Sequence, residues 1–420
     1  MDISARGMTG LRRRDLGALA GAAALAAGRA ARAQTPAELR LGAVFPLSGP
    51  LAPLGDESYR GVELAVEERA AAGGLLGRVP RLVRADAPDE TAAAAEARRL
   101  AAGPDRVATI FGSFSSAVAL PASQVAEAAG VPFVETGALG DGVVERGFRW
   151  VFRTSPRAAD FAAAGVAAVT DLLAPAFGVA ADTLRLAILH EEAPGGVSVG
   201  TAQEAAIRTR GLRLVERLAY AQRAADLGAA AQRLRGLEAE IVLHTGAPGD
   251  ETILLRAMND AGWRPRMLIG TAGGYGVAET ARSLGDALRG VMSADLTPFD
   301  VHERHAPGAR AFAELYLRRY GAEPRSGHSL ACFVGARMAL EAMGRGGGVE
   351  KERVRAAMLA LDVAEGTTPT GWGMRFDERG QNLRARPMLC QWQVAGNGLR
   401  QVVVAPAEAA VADLMPRLGL

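Results

Sequence analysis

From Leu39 onward, short apolar runs of strand length alternate with stretches of helical spacing, and this alternation narrows the fold more than any other feature of the chain. Repeated strand–helix–strand units return each strand alongside its predecessor, so they build parallel sheets covered by helices on both faces. Strands are expected at 39–45, 81–86, 107–111, 131–135, 149–153, 184–190, 212–219, 239–244, 266–270 and 289–293. The intervening helices are expected at 57–72, 91–102, 116–129, 160–173, 198–210, 226–236, 250–261, 307–320, 327–343 and 350–360. Within 57–72, Val62, Ala65, Val66 and Arg69 keep helical spacing, and Gly73-Gly74 closes the helix. Roughly nine such units are too many for one comfortable doubly wound sheet, so the expected α/β fold has two doubly wound parallel-sheet lobes. No Pro/Ser-rich linker separates them, which points to short hinge strands, the first near Arg153-Thr154-Ser155-Pro156.

The first 33 residues follow a different logic. Arg12, Arg13 and Arg14 form a basic start, Leu16 to Ala27 is an apolar run too short to span a bilayer, and Ala31-Arg32-Ala33 fits small-x-small cleavage. Residues 1–33 therefore read as an export signal, with Gln34 first in the mature chain. Arg13-Arg14 resembles a twin-arginine signal, although a general secretory signal shares the same three-part build. With no cysteine near the cleavage site, no lipid anchor is expected there, and a soluble periplasmic protein follows. The leader carries six arginines against Asp2 and Asp15, so its loss takes the formal charge from +2 to about −2. So balanced a surface gives no reason to expect nucleic acid or an anionic membrane as partner. Cys332 and Cys390 are the two cysteines; an exported protein permits a disulfide between them, and the expectation is two unpaired buried thiols.

Motifs that would indicate catalysis or cofactors are weak. Gly196-Val197-Ser198-Val199-Gly200 matches the G-x-S-x-G nucleophile elbow, which requires a sharp strand-to-helix turn. Here a Pro/Gly loop separates Ser198 from the strand ending near His190, and nothing orients Asp295, His302 or His328 as partners. A serine hydrolase using Ser198 is thus the remote alternative. His302-Glu303-Arg304-His305 lacks H-E-x-x-H spacing, and Gly270 to Gly276 lacks a phosphate-loop lysine, so neither metal nor cofactor is expected.

A more informative loop is Gly112-Ser113-Phe114-Ser115-Ser116, between a strand and an immediate helix. Free backbone N–H groups and hydroxyls at a helix N-terminus suit a carboxylate without any formal positive charge. Helix capping by the same serines is the structural alternative.

The segments LGAVFPLSGPLAPLGDESYRGVELAVEERAAAGG (41–74), TIFGSFSSAVALPASQVAEAAGVPFVETGA (109–138), WVFRTSP (150–156), LAILHEEAPGGVSVG (186–200), LIGTAGGYG (268–276) and GWGMRFDERGQN (371–382) run in order along the chain. Together they resemble the periplasmic type I solute-binding proteins of ABC importers, in the branched-chain amino acid and amide (Leu/Ile/Val-binding) group. The resemblance implies a two-lobed Venus flytrap without catalysis or cofactor. It would capture a small solute in the periplasm and deliver it, as a monomer, to a permease with its ATPase. Lobe one would comprise 38–154 plus 288–387, lobe two 155–287 plus 388–405, with 406–420 as a tail. A sensor of the same fold is the alternative role.

By the same resemblance, Ser116 matches a serine that holds the ligand carboxylate, with Ser115 and the Ala117 N–H beside it. Gly137 and Ala138 match positions whose backbone faces the ligand. Lobe two would add the loops around Pro194-Gly195 and Thr245-Gly246, plus Tyr275. The departures are as telling. Leu139 stands where the family shows threonine, Ala272 where it shows the glutamate that meets the ligand's ammonium, and Leu54 and Gly195 where an aromatic ring is common. Glu135, His190, Glu191, Glu192 and Tyr275 are candidates for replacement polar contacts. An ammonium taken from water needs a paired anion. The expected ligand therefore keeps a carboxylate or amide but lacks a standard α-amino group, as an aromatic or aliphatic acid would.

Overall fold

A computed structural model describes residues 37–396 and 398–418, so the expected export signal lies outside the described residues. The first sheet forms from β1 (Glu38–Phe45), β2 (Val79–Asp86), β3 (Ile110–Gly112), β4 (Phe133–Glu135) and β5 (Val151–Arg153). Helices α1 (Ala52–Ala71), α2 (Glu90–Ala101) and α3 (Ser116–Ala129) connect its first four strands. The chain then passes through α4 (Ala158–Ala168) into the second sheet. That sheet comprises β6 (Arg185–Glu191), β7 (Arg213–Tyr220), β8 (Ile241–Thr245), β9 (Met267–Thr271), β10 (Met292–Asp295), β11 (Met388–Ala395) and β12 (Gly398–Ala405). Its helices are α5 (Pro194–Thr209), α6 (Gly228–Gly236), α7 (Asp250–Asp260) and α8 (Ala278–Leu284). Between β10 and β11 lie α9 (Ala309–Tyr320), α10 (Gly327–Gly346) and α11 (Lys351–Leu359).

The strand orders are β2-β1-β3-β4-β5 and β12-β11-β10-β9-β8-β6-β7. Read from β7 to β10, the second sheet repeats the order of the first: second strand, first, third, fourth, fifth. Each sheet therefore reverses direction once, between β1 and β3 and between β6 and β8. At such a switch point the connecting loops diverge to opposite faces and leave a crevice beyond the carboxyl ends of the strands.

Alternating side chains fill both faces of each sheet. On β6, Leu186 and Ile188 pack with Phe161, Val166 and Ile207, while Ala187 and Leu189 pack with Leu234, Leu254 and Met258. In the first sheet, Phe111 and Phe152 join the cluster built on α1 and α10, whereas Ile110, Phe133 and Val151 meet the small residues of α2 and α3. The helix Ala158–Phe177 is apolar enough, at a hydropathy of 1.4, to match a membrane span by composition, a resemblance the sequence reading did not register. Its Phe161, Val166, Val169 and Leu173 are buried in the second sheet's core.

Three expectations need correction. β11 and β12 form an antiparallel pair, and β11 also runs antiparallel to β10, so the second sheet is not wholly parallel. The strand expected at 289–293 starts at Met292, because Gly290 takes a positive φ of 83° and its N–H donates to the Trp392 carbonyl. That strand, which a boundary at 288 would give to lobe one, pairs with β9 and β11 in the second sheet. Cys332 and Cys390 are free, buried thiols, as the sequence suggested.

Candidate functional site

Loops following β1, β2, β3 and β4 of the first sheet and β6, β7, β8 and β9 of the second line one cavity of about 390 Å³. It lies where two switch points face each other, the position that open α/β sheets reserve for ligands.

On the first-sheet side, β3 ends at Gly112 and α3 starts at Ser116. Ser115 is extended (φ −94°, ψ 129°) and makes no side-chain capping bond. Its carbonyl takes the N–H groups of Val118 and Ala119, the first donors that the helix can satisfy internally. The amides of Ser116 and Ala117 precede that bond and have no acceptor among the described residues. Both residues, with Ser115, line the cavity. The Ser116 hydroxyl accepts from the Gly140 N–H at 2.9 Å, which leaves its own proton to donate. Capping therefore does not account for either serine.

The next loop behaves differently. Glu135, wholly buried at the end of β4, turns its carboxylate back over its own loop. One oxygen accepts the N–H groups of Ser113 (2.7 Å), Thr136 (3.0 Å), Gly137 (2.8 Å) and Ala138 (2.8 Å). The other accepts the Ser113 hydroxyl at 2.9 Å. The Gly137 and Ala138 amides, expected to face a ligand, are thus bound to the protein's own anion. Gly137 still lines the cavity, whereas Ala138 is fully buried outside its lining. The carbonyls of Ala138, Leu139 and Gly140 accept from the Arg153 guanidinium at 3.3, 3.0 and 2.7 Å, and its Nε donates to Gln381 at 2.7 Å. Burial draws the Arg153 pKa down to about 10, leaving it charged at neutral pH.

On the second-sheet side, Glu191 at the end of β6 lines the cavity, as do Gly195, Thr245, Gly246 and Ala272. A Cβ on Gly195 would stand 3.2 Å from the Ser116 hydroxyl, and one on Gly196 only 2.5 Å from the Glu191 carbonyl. Two small residues therefore let the α5 N-terminus close over both Ser116 and Glu191. Below Gly246 the Tyr220 hydroxyl donates to Asp250 at 2.8 Å and lies 2.9 Å from His244 Nε2. Three cavity residues, Phe114, Arg223 and Ala272, hold positive φ angles of 75°, 60° and 42° without being glycine. Strain of this kind concentrates at functional sites.

Several expected residues sit elsewhere. Tyr275 is in the core, its hydroxyl 2.5 Å from His244 Nδ1 and its carbonyl bound to Trp392. Leu54 is fully buried because α1 begins at Ala52, earlier than its spacing suggested, and Pro50 and Leu51 reach the cavity instead. Pro194 opens α5 without lining the cavity, and Leu139 lines it from the Arg153-bound loop. His190 turns away: Arg217 Nε donates to its Nε2 at 3.1 Å. Glu192 is exposed outside the lining. Phe114, Arg223 and His328 also line the cavity, none of them expected to do so, although Phe114 stands within the serine loop. His328, at the start of α10, meets Phe114 edge-on with centroids 5.2 Å apart. Burial pushes its pKa down to about 4, so it is neutral. The position of α10 comes from tertiary packing, so no local signal marked His328.

Ser198 lies inside α5, and its hydroxyl accepts from the Asp141 N–H at 3.4 Å. No histidine or carboxylate is hydrogen-bonded to it among the described residues. Asp295 is held by Gln401 and the Leu296 amide, and His328 by Ser326, so the hydrolase arrangement does not form.

The model of one family, described as "Periplasmic binding protein", matches residues 38–396. The chain belongs to the periplasmic binding protein family. Within that family it is 39% identical over 394 residues to Leu/Ile/Val-binding protein homolog 7 of Brucella suis biovar 1 (strain 1330), covering 94% of this chain and 98% of the relative. The leucine binding protein LivK of Thermotoga maritima superposes with a TM-score of 0.73 at 20% identity, covering 86% of this chain and 97% of that one. A solute binding protein of an ABC transporter from Rhodopseudomonas palustris BisB5, in complex with 3,4-dihydroxy benzoic acid, does so with a TM-score of 0.74 at 18% identity, covering 89% and 98%. The Leu/Ile/Val-binding branch of the periplasmic binding proteins is thus the setting for the cavity.

Proposed function

We propose that this periplasmic binding protein is the solute-capturing subunit of an ABC importer. Exported to the periplasm, it takes up a small carboxylate-bearing solute and presents it to a permease and its ATPase without a catalytic step. Lobe one is built on the five-stranded sheet and lobe two on the seven-stranded sheet, joined by crossing segments that include 153–156 and 383–388.

The observation that carries this reading is the start of α3. Two unspent amides, at Ser116 and Ala117, and the Ser115 and Ser116 hydroxyls converge on a cavity that the second sheet covers. A carboxylate there gains charge-assisted hydrogen bonds and the favourable end of a helix dipole. The ligands named for the two structural neighbours, leucine and 3,4-dihydroxy benzoic acid, both carry a carboxylate. A ligand that touches both lobes only when they are closed shifts the population toward the closed form, which is the form a permease can distinguish.

Melting temperature measured with carboxylic acids and with the matching primary alcohols tests the reading. A ligand at about a hundred times its dissociation constant adds roughly 2.7 kcal/mol of stability. We expect acids to raise the melting temperature and alcohols not to. Equal stabilisation by both would remove the carboxylate site from the proposal.

A further inference from the structure

Two helices begin at the cavity, one from each sheet, and the second has open donors of its own. Helix α5 starts at Pro194 after Ala193, whose backbone is extended (φ −83°, ψ 157°) and whose side chain makes no cap. Its first internal bond runs from the Val197 N–H to the Ala193 carbonyl at 2.9 Å. Pro194 has no N–H, so the open donors of the first turn are the amides of Gly195 and Gly196, and both residues line the cavity. Neither amide has an acceptor among the described residues. Glu191 is adjacent, since a Cβ on Gly196 would stand 2.9 Å from its Cγ, yet its carboxylate makes no hydrogen bond or ion pair among the described residues and leaves both amides open. Gly196 is buried, and a buried N–H without an acceptor is rare in a folded protein. An independent sign of a missing partner comes from β8. Thr245 follows Ile241 and Leu243, which pack with Ile207 of α5, so its side chain stands on the face of the sheet that α5 covers. It is 3% exposed and lines the cavity, and its hydroxyl has no hydrogen-bond partner.

The α3 terminus lies against this one, because a Cβ on Gly195 would be 3.2 Å from the Ser116 hydroxyl. Each helix end is equivalent to about half a positive charge, so two of them together match one carboxylate and, brought close, repel unless an anion lies between. We propose that the carboxylate of the solute is clamped between the two helix N-termini, taking the Ser116 and Ala117 amides from the first sheet and the Gly195 and Gly196 amides, with the Thr245 hydroxyl, from the second. The inference rests on the carboxylate reading of the α3 terminus and extends it across the cavity. The anion itself, more than the rest of the solute, then joins the two lobes. Gly195 permits this, since any larger residue there would hold α5 away from Ser116.

The test gives α5 an acceptor of its own. Ala193 is its N-cap residue, and Ala193→Asn places there a side-chain oxygen that takes the Gly195 or Gly196 amide. Ala193→Leu, of similar size, adds bulk without an acceptor. Propanoate, 4-methylpentanoate and 3-phenylpropanoate are titrated calorimetrically into the purified protein, into both variants and into Ser116→Ala. We expect at least one acid to bind, and Ala193→Asn to weaken it by about 10-fold. The ligand-free melting temperature of Ala193→Asn should stay level or rise, because a cap stabilises its helix. Ala193→Leu should weaken the acid less than Ala193→Asn does. Lower affinity at unchanged or higher stability separates loss of the clamp from loss of fold. An acid that binds Ala193→Asn as tightly as the wild type but binds Ser116→Ala more weakly would overturn the clamp and leave the carboxylate reading intact. Equal weakening by Ala193→Leu and Ala193→Asn would overturn it in the same way. Failure of every acid to bind would remove both.

Discussion

Two loops that follow neighbouring strands of the first sheet start from similar material and end with opposite roles. After β3, the amides of Ser116 and Ala117 are left without partners among the described residues and open onto the cavity. After β4, the amides of Thr136, Gly137 and Ala138 all converge on one oxygen of Glu135. A backbone amide carries no memory of its intended partner, so whether a loop binds a ligand or braces itself depends on whether an anion from the protein arrives first. The resemblance treated the two loops as equivalent ligand contacts. The structure leaves one of them open to the cavity and closes the other on its own carboxylate.

That contrast can be broken most forcefully at Glu135. Its replacement by Ala strands the buried amides of Ser113, Gly137 and Ala138, while the Thr136 N–H keeps the Gly112 carbonyl and the Ser113 hydroxyl keeps the Ser115 carbonyl, and we expect a loss of about 3 to 5 kcal/mol in denaturant unfolding. Glu135→Gln, which keeps a carbonyl acceptor, should lose less. If Glu135→Ala were as stable as the wild type, the bracing role would be wrong. At the open loop the effect should move from stability to affinity. Ser116→Ala should weaken a bound carboxylate by about 1 to 3 kcal/mol, read by calorimetry, because Ser116 both supports Gly140 and offers its proton. Ser115→Ala should cost about 0.5 to 1.5 kcal/mol of affinity. Its stability should stay within about 0.5 kcal/mol of the wild type, the range of substitutions that remove no cap or buried partner.

The smallest effect concerns pH. Burial raises Asp295 and Glu191 to about 7, the latter with a contribution from Asp250. Their stabilising protonation is complete below the ordinary carboxyl range and is lost as pH rises through 7. Burial lowers His244 to about 3, with a contribution from His190, and His328 to about 4. Stability tied to those neutral imidazoles is complete above 6.5 and is lost as pH falls toward 4. The melting temperature without ligand should therefore be nearly flat between about pH 4 and 6.5, where the two trends offset, and settle at a lower value by about pH 7 to 8. In Glu191→Gln the alkaline decline should be shallower. The groups around Glu191 that bear on this are Asp250 from α7, Tyr220 from β7, Arg223 after it, and the adjacent His190 and Glu192. His328, the histidine that meets Phe114 of the open loop, is neutral, so once Glu191 is replaced by Gln the Ser116-dependent affinity for a carboxylate should stay flat between about pH 6 and 8.

Much of this was legible in the chain. Leu186 to Leu189 and Ile241 to Leu243 announce strands buried on both faces, since runs apolar at every position have no solvent side. The open loop was legible too, because a strand, two serines and a helix start within a few residues of one another. Tyr275 and Leu54 misled because their positions were inferred by correspondence. The structure ties Tyr275 to His244 and starts α1 early enough to bury Leu54. Arg223 and Phe114 gave no local signal, since a positive φ on a non-glycine residue is imposed by surroundings and not preferred by sequence.

By itself the sequence determined the α/β class, the number of lobes' worth of strands and the strand-to-helix turn whose amides stand open at Ser116 and Ala117. These depend on periodicity and on the groups that a single turn of backbone exposes. Only the tertiary structure decided that the same strand order is used twice, that two switch points share one cavity, that Glu135 spends the amides of its own loop, and that Glu191 remains unpaired. Strand order and the shared cavity depend on which distant parts of the chain meet, and even the short-range bonds of Glu135 depend on where its carboxylate is packed, which local composition does not record.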